Sequence, residues 1–273
     1  MSITINDLAS TFAANRLNRS QNGLQDSFAK LSSGKRVNSA ADDAAGLAIA
    51  TQLAAQLLGS QQAYNNSNNA ISYVQTAEGA LGEVDNISQR IRELSVQASN
   101  GILSDQDRQN IQTEVTQLQE EAARIFSSTE FNGQNPFTEN GSVTFQVGND
   151  AGDSVSLQTA DLQQQFTDLG FFDIDVSTAA GAQSALGVID QGLDVINSSR
   201  SDYGAFNNRM EAVGRNLLIE SENLAASQSR IMDADYAAET ANRTRNLILQ
   251  NAGIASLAQA NVSSGLATYL LKG

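Results

Sequence analysis

The chain has 273 residues, no Cys, His or Trp, and a formal net charge of −14. The missing Cys and His exclude disulfide frameworks, thiolate nucleophiles, His-containing triads and the common zinc sites. The acidic balance argues against nucleic acid or an anionic membrane as partner, and few aromatics among much Ala, Leu, Gln, Asn and Ser suit long helices packed side by side.

The first helical pattern runs from about Ile5 to Leu31. Ile5, Leu8 and Phe12 are spaced by three and four residues, and Leu17, Leu24, Phe28 and Leu31 continue the stripe after a slip. That is an amphipathic helix with a narrow apolar seam. The stretch "LSSGKRVNSAADDAAGLAIA" at 31–50 then breaks the pattern. Gly34 takes the left-handed conformation that stops a helix, and Ser39 with Asp42 reads as a capping box that restarts one. Lys35 and Arg36 fall inside this connector.

A second helix is expected from about Asp42 to Ser99, with Val74, Leu81, Val84, Ile91, Leu94 and Ala98 on its stripe. Ser104 or Asp105 caps a third, seamed by Ile111, Val115, Leu118, Ala122 and Ile125. Beyond the sole proline, Pro136, alternation at Val143, Phe145 and Val147 and again at Val155 and Leu157, around "GNDAGDS", predicts a β-hairpin. From about Thr178 a 3.5-residue period returns through Ile189, Ile196, Tyr203, Phe206, Met210 and Leu217. A last seam holds Leu247, Ile254, Leu257, Val262, Leu266 and Tyr269.

The expected fold is mainly α: a long antiparallel, coiled-coil-like helical hairpin, a small β-hairpin at its tip, and terminal helices paired at the other end. The segments are 1–40, 41–176, 177–235 and 236–273. Charge follows this division, with +3 over 1–40, +2 over 236–273 and −19 between them. The terminal stripes have little to bury them within one chain, which points to burial against further copies. A monomer with loosely packed ends and a non-polymerising coiled-coil binding module remain the rivals. The N-terminus lacks a basic leader followed by an apolar core, and no apolar run reaches about 18 residues, so neither a cleaved signal nor a membrane span is expected.

Several blocks resemble bacterial flagellin: the 31–50 stretch, "QRIRELSVQASNG" at 89–101, "FNG" at 131–133, "FQVGNDAGD" at 145–153, "SRIMDADYAAETANRTRNLILQNAG" at 229–253 and "LAQAN" at 257–261. They occur in flagellin order across nearly the whole chain. The resemblance implies a secreted helical homopolymer, the filament of the bacterial flagellum, exported through the flagellar type III apparatus. Terminal helices would line the channel and the long helices would form the surrounding tube. It also implies an export chaperone at the C-terminal segment, and hook-associated and cap proteins as partners. The β region leads almost directly into the returning helix, as in a near-minimal flagellin. A hook–filament junction protein shares the terminal helices but usually lacks the full blocks at 89–101 and 145–153.

By the same resemblance, Arg90, Leu94 and Glu114 match residues that contact the flagellin-sensing Toll-like receptor, and Leu94 is expected at the surface of the free subunit. Lys35 and Arg36 would lie where neighbouring subunits meet. The carboxylate pairs in "DADY" at 233–236 and "DID" at 173–175 have no His, Cys or basic neighbour to make them catalytic. "GNDAGDS" lacks the spacing and terminal Glu of a calcium loop. No cofactor motif is present in the sequence, so neither an enzyme nor a cofactor is expected.

Overall fold

The computed structural model describes the backbone over residues 4–270 and the side chains of residues 11–259 and 262. Among these are six α-helices: α1 (Thr4–Ser33), α2 (Ala44–Ala98), α3 (Asp105–Ser128), α4 (Leu162–Asp168), α5 (Ala179–Met232) and α6 (Tyr236–Leu270). Strands β1 (Gly141–Gln146) and β2 (Ser154–Thr159) form an antiparallel two-stranded sheet, with Val143 opposite Leu157 and Phe145 opposite Val155. The chain divides into two compact units, Met1–Leu57 with Glu222–Gly273, and Leu58–Ser221.

In Leu58–Ser221 the core follows from two interlocking 3.5-residue patterns. On α2 a buried seam runs through Ser60, Ala63, Ser67, Ala70, Val74, Ala77, Leu81, Val84, Ser88, Ile91, Ser95 and Ala98, at alternating spacings of three and four, with Tyr73 and Leu94 buried beside it. On α5 they include Ala185, Ile189, Gly192, Ile196, Tyr203, Phe206, Met210, Gly214 and Leu217. The two helices run antiparallel, since Ser67 meets Met210 while Arg92 meets Asp190. Eight of these twelve seam residues are Ala or Ser, which lets backbones approach closely. The serines stay satisfied: Ser88 and Ser95 donate to Val84 O and Ile91 O at 2.8 Å each, and Ser67 donates across to Met210 O at 2.9 Å. A buried hydroxyl left unpaired would cost more than the small side chain saves.

Helix α3 folds back over α2 after the 99–104 turn. Ser104 caps it in a full capping box with Asp107, which settles the choice between Ser104 and Asp105. Arg108, almost completely buried, donates Nε to Ala98 O at 2.9 Å and Nη2 to Asn100 O at 3.0 Å. It closes the last carbonyl of α2, which the helix itself cannot satisfy, and one in the turn beyond it. With α3 on one side and α5 on another, α2 is covered on two faces here, and adjacent residues Leu94 and Ser95 are both buried.

The hairpin lies along the flank of α2 and α5 rather than at the expected tip. Phe145 reaches Tyr73 and Phe206 (ring centroids 6.1 and 5.8 Å), and Asn149 in the turn donates to Ser60 Oγ at 3.0 Å. Residues 160–177 show no helical period in the sequence, yet α4 and a short 3₁₀ turn (Phe171–Asp173) lie there. These supply Leu162, Phe166 and Phe171, all fully buried, and link edge-on to Phe126 and Phe137. Seven residues are too few to display a helical period.

In the other unit, α1 packs antiparallel against α6, with Leu17 beside Gly253 and Gly23 beside Asn246. Gly34 ends α1 at φ +70°, as expected of a left-handed stop. The restart differs from the expected box. Asp42 Oδ2 accepts from the Asn38 and Ser39 N–H groups and from Ser39 Oγ, closing a turn ahead of the helix. Asp43 is the true cap of α2, accepting from Gly46 N–H at 2.8 Å.

Candidate functional site

Three places carry the residues singled out in the sequence. The first is the terminal pair. Its expected seam splits in two. Leu24, Leu31 and Leu257 are half-buried between α1 and α6, as is Leu17. Phe12, Phe28, Leu247, Ile254 and Val262 are exposed, at 61, 63, 40, 51 and 56 %. Ile248 and Leu249, which the sequence seam omits, are exposed as well. The side chains of Ile5, Leu8, Leu266 and Tyr269 lie outside the described residues. A groove between the helices is lined by Phe12, Ala13, Arg16, Leu249, Ala252 and Gly253. One narrow helix pair can bury only one stripe per helix, so the remaining apolar side chains of each stay outside.

The connector is the second place. Lys35 pairs with Asp233 in an isolated antiparallel bridge, so "GKR" and "DADY" are neighbours in space. Arg36 meets the end of α5. Its Nη2 donates to Ile231 O at 2.7 Å and its backbone N–H to Met232 O at 2.6 Å. Lys35 is exposed and forms no ion pair among the described residues. Asp235, the second carboxylate of "DADY", accepts from the Ala237 and Ala238 N–H groups at 2.9 and 3.1 Å and caps α6. The signal was available: an Asp just before a helical run is a cap candidate.

The third place is the α2–α3 face. Arg90 and Glu114 come together, with Nε and Nη2 donating to Glu114 Oε1 at 3.1 and 2.8 Å, and Nη1 donating to Glu93 Oε2 at 3.1 Å. These carboxylates hold the guanidinium more firmly protonated than usual, the Glu114 hydrogen bonds contributing most. Arg92 pairs likewise with Asp190 at 2.8 Å. Leu94 is not at this surface. It is 2 % exposed and shares the core with Ile91, Ala98, Ile111 and Val115. The expectation of an exposed Leu94 is therefore corrected, because α3 covers the face of α2 on which it lies.

No group of three or more His, Cys, Asp or Glu arranged for a metal occurs among the described residues. The residues gathered at these places can cap helices, pair charges and offer apolar surface.

Known proteins resemble the chain along most of its length. Residues 5–142 match the bacterial flagellin N-terminal helical region, and residues 186–270 match the bacterial flagellin C-terminal helical region. The 30.7 kDa flagellar filament core protein of Treponema maltophilum is 37 % identical over 94 % of this chain and 95 % of its own length. A flagellin of Halalkalibacterium halodurans is 42 % identical over 94 % of this chain and 93 % of its own. Among solved structures, Bacillus cereus flagellin aligns with a TM-score of 0.52 at 27 % identity, covering 60 % of this chain and 94 % of that one. With both ends matched and its relatives aligned nearly end to end, the chain belongs to the bacterial flagellin family.

Proposed function

We propose that this flagellin is the repeating subunit of a flagellar filament, joined to its copies through the terminal helix pair, and that it reaches the cell exterior through the flagellar type III apparatus. Its homologues are structural filament proteins, not enzymes. The observation that carries the reading is where exposed apolar side chains collect. Eight of the fourteen large apolar side chains exposed among the described residues lie on α1 or α6: Phe12, Phe28, Tyr236, Leu247, Ile248, Leu249, Ile254 and Val262. An exposed apolar set of this size marks an interaction surface, and a helical homopolymer supplies the matching partner in every copy. The C-terminal segment serves an export chaperone before assembly, and hook-associated and cap proteins bound the polymer.

The free subunit also presents Arg90 and Glu114 to the flagellin-sensing Toll-like receptor. Leu94 supports that face from beneath by packing. A guanidinium held in a fixed pair offers directed donors that no small residue replaces.

Sedimentation tests the filament reading. The full chain pellets as tubes visible by negative-stain microscopy. Versions lacking 1–35 or 240–273 stay soluble with α2, α3 and α5 still helical. A truncated chain that pellets as filaments like the full one overturns the assignment of assembly to the terminal pair.

A further inference from the structure

Two long helices end within the unit that holds both termini, α1 at Ser33 and α5 at Met232. Each leaves carbonyls in its last turn without an intrahelical donor. The structure satisfies them by exchange. Arg36, just past α1, donates Nη2 to Ile231 O and its own N–H to Met232 O, both in the last turn of α5. Tyr236, just past α5, donates its hydroxyl to Leu31 O in the last turn of α1 at 2.6 Å. Between these contacts the Lys35–Asp233 bridge and the Ala234 N–H to Gly34 O bond, at 3.0 Å, tie the two connectors together. A guanidinium at a helix C-terminus is further favoured by the negative end of the helix dipole.

We propose that Arg36 and Tyr236 form a cross-capping clasp that fixes the register of α1 against α6. The clasp thereby selects which apolar side chains the terminal pair offers to a second copy. Burial alone specifies this register weakly. The contact between the helices holds half-buried leucines, glycines and Asn246, while the larger apolar groups remain outside. Sliding one helix past the other by a turn would exchange one such contact for a similar one. Directional hydrogen bonds at one end break that degeneracy, as a polar group does in a coiled coil. Tyr236 and Arg36 are thus positioning residues, acting on assembly through the helices whose ends they cap.

This inference rests on the filament reading, and the test separates the two. Arg36→Ala, Arg36→Lys and Tyr236→Phe are made in the full chain. The critical concentration for polymerisation is read by sedimentation, and amide exchange at Arg36 and Ala234 is read in the free subunit. Arg36→Ala and Tyr236→Phe each raise the critical concentration by roughly fivefold, about what one net hydrogen bond is worth. Both speed exchange at the two amides, and neither shifts the melting of Leu58–Ser221. Arg36→Lys recovers part of the loss, because an ammonium can still donate to Ile231 O. Wild-type critical concentrations in both Arg36→Ala and Tyr236→Phe overturn the clasp. So does a loss of assembly matched by an earlier melt of the whole chain, or wild-type amides at these positions that exchange unprotected. If the wild type forms no filaments, the filament reading itself fails and this inference falls with it.

Discussion

Leu94 and Phe28 occupy equivalent-looking places in the sequence, each on an apolar stripe of a long helix. Leu94 is 2 % exposed and Phe28 is 63 % exposed. The difference lies in what each unit supplies to cover a stripe. In Leu58–Ser221, α2 meets α3 on one face and α5 on another, and the hairpin and α4 close further sides. In the unit holding the termini, α1 meets α6 and nothing else among the described elements covers its remaining apolar residues. Periodicity announces that a helix has an apolar face. Whether that face is buried within the chain depends on how many neighbours the chain can fold against it.

The sharpest way to break this comparison is a pair of substitutions. Leu94→Ala removes a side chain from a filled core and should destabilise the free subunit by about 2–5 kcal/mol. Phe28→Ala removes an exposed ring and should leave folding within about half a kcal/mol while weakening assembly. Thermal melting and sedimentation of both variants check it. If Phe28→Ala melts as early as Leu94→Ala, the terminal stripe is buried within the chain after all.

Arg108→Ala is the next largest change. It strips Ala98 O and Asn100 O of a buried charged donor. Hydrogen bonds of that kind are worth roughly 1.5–3 kcal/mol each in net terms, though their losses here are not independent. The variant should therefore unfold clearly earlier in denaturant, and exchange should quicken first at the α2–α3 turn. Unchanged denaturation would mean that water satisfies those carbonyls as well as the guanidinium does.

How far the sequence was legible follows the same division. The long helices, the two alternating runs of the hairpin and the stop at Gly34 could all be read, because each rests on local chemistry or period. Flagellin-like blocks also identified the family. Leu94 was misplaced by the resemblance, although its place on the α2 stripe marks it as core; that α3 covers it is a tertiary event. Arg108 and Arg36 escaped notice as caps for a related reason. Each satisfies carbonyls of another helix, 195 residues away for Arg36 and Ile231. Phe166 and Phe171 were missed because their elements are shorter than the period that would reveal them.

Arg90→Ala probes the exposed side of α2, where the comparison predicts a small effect on folding. Its ion pairs with Glu93 and Glu114 are open to solvent. Such pairs contribute little to stability because water and salt screen them. The melting temperature should scarcely move, while activity on cells carrying the receptor should fall. Glu114→Gln should behave alike. An early melt with signalling lost in proportion would assign both residues to packing instead.

The smallest expected effect concerns the turn that Asp42 closes before α2. Its carboxylate accepts from two backbone N–H groups and a hydroxyl, and the Ser39 N–H contributes most to holding its pKa below the ordinary 3.8. Unfolding frees the group to titrate at the ordinary value. The stabilisation is therefore complete well above that value and disappears as pH falls through the lower pKa of the folded turn. Asp42→Asn keeps the shape but loses the charge and one acceptor oxygen. At neutral pH the variant should open this turn more readily than the wild type, read as faster exchange at the Ser39 amide. On acidification through the ordinary 3.8 and on below the lowered pKa of the folded turn, the wild type should approach the variant, as the carboxylate that distinguishes them becomes protonated. A gap between them that stays constant over that whole descent would show that the oxygen, and not its charge, holds the turn.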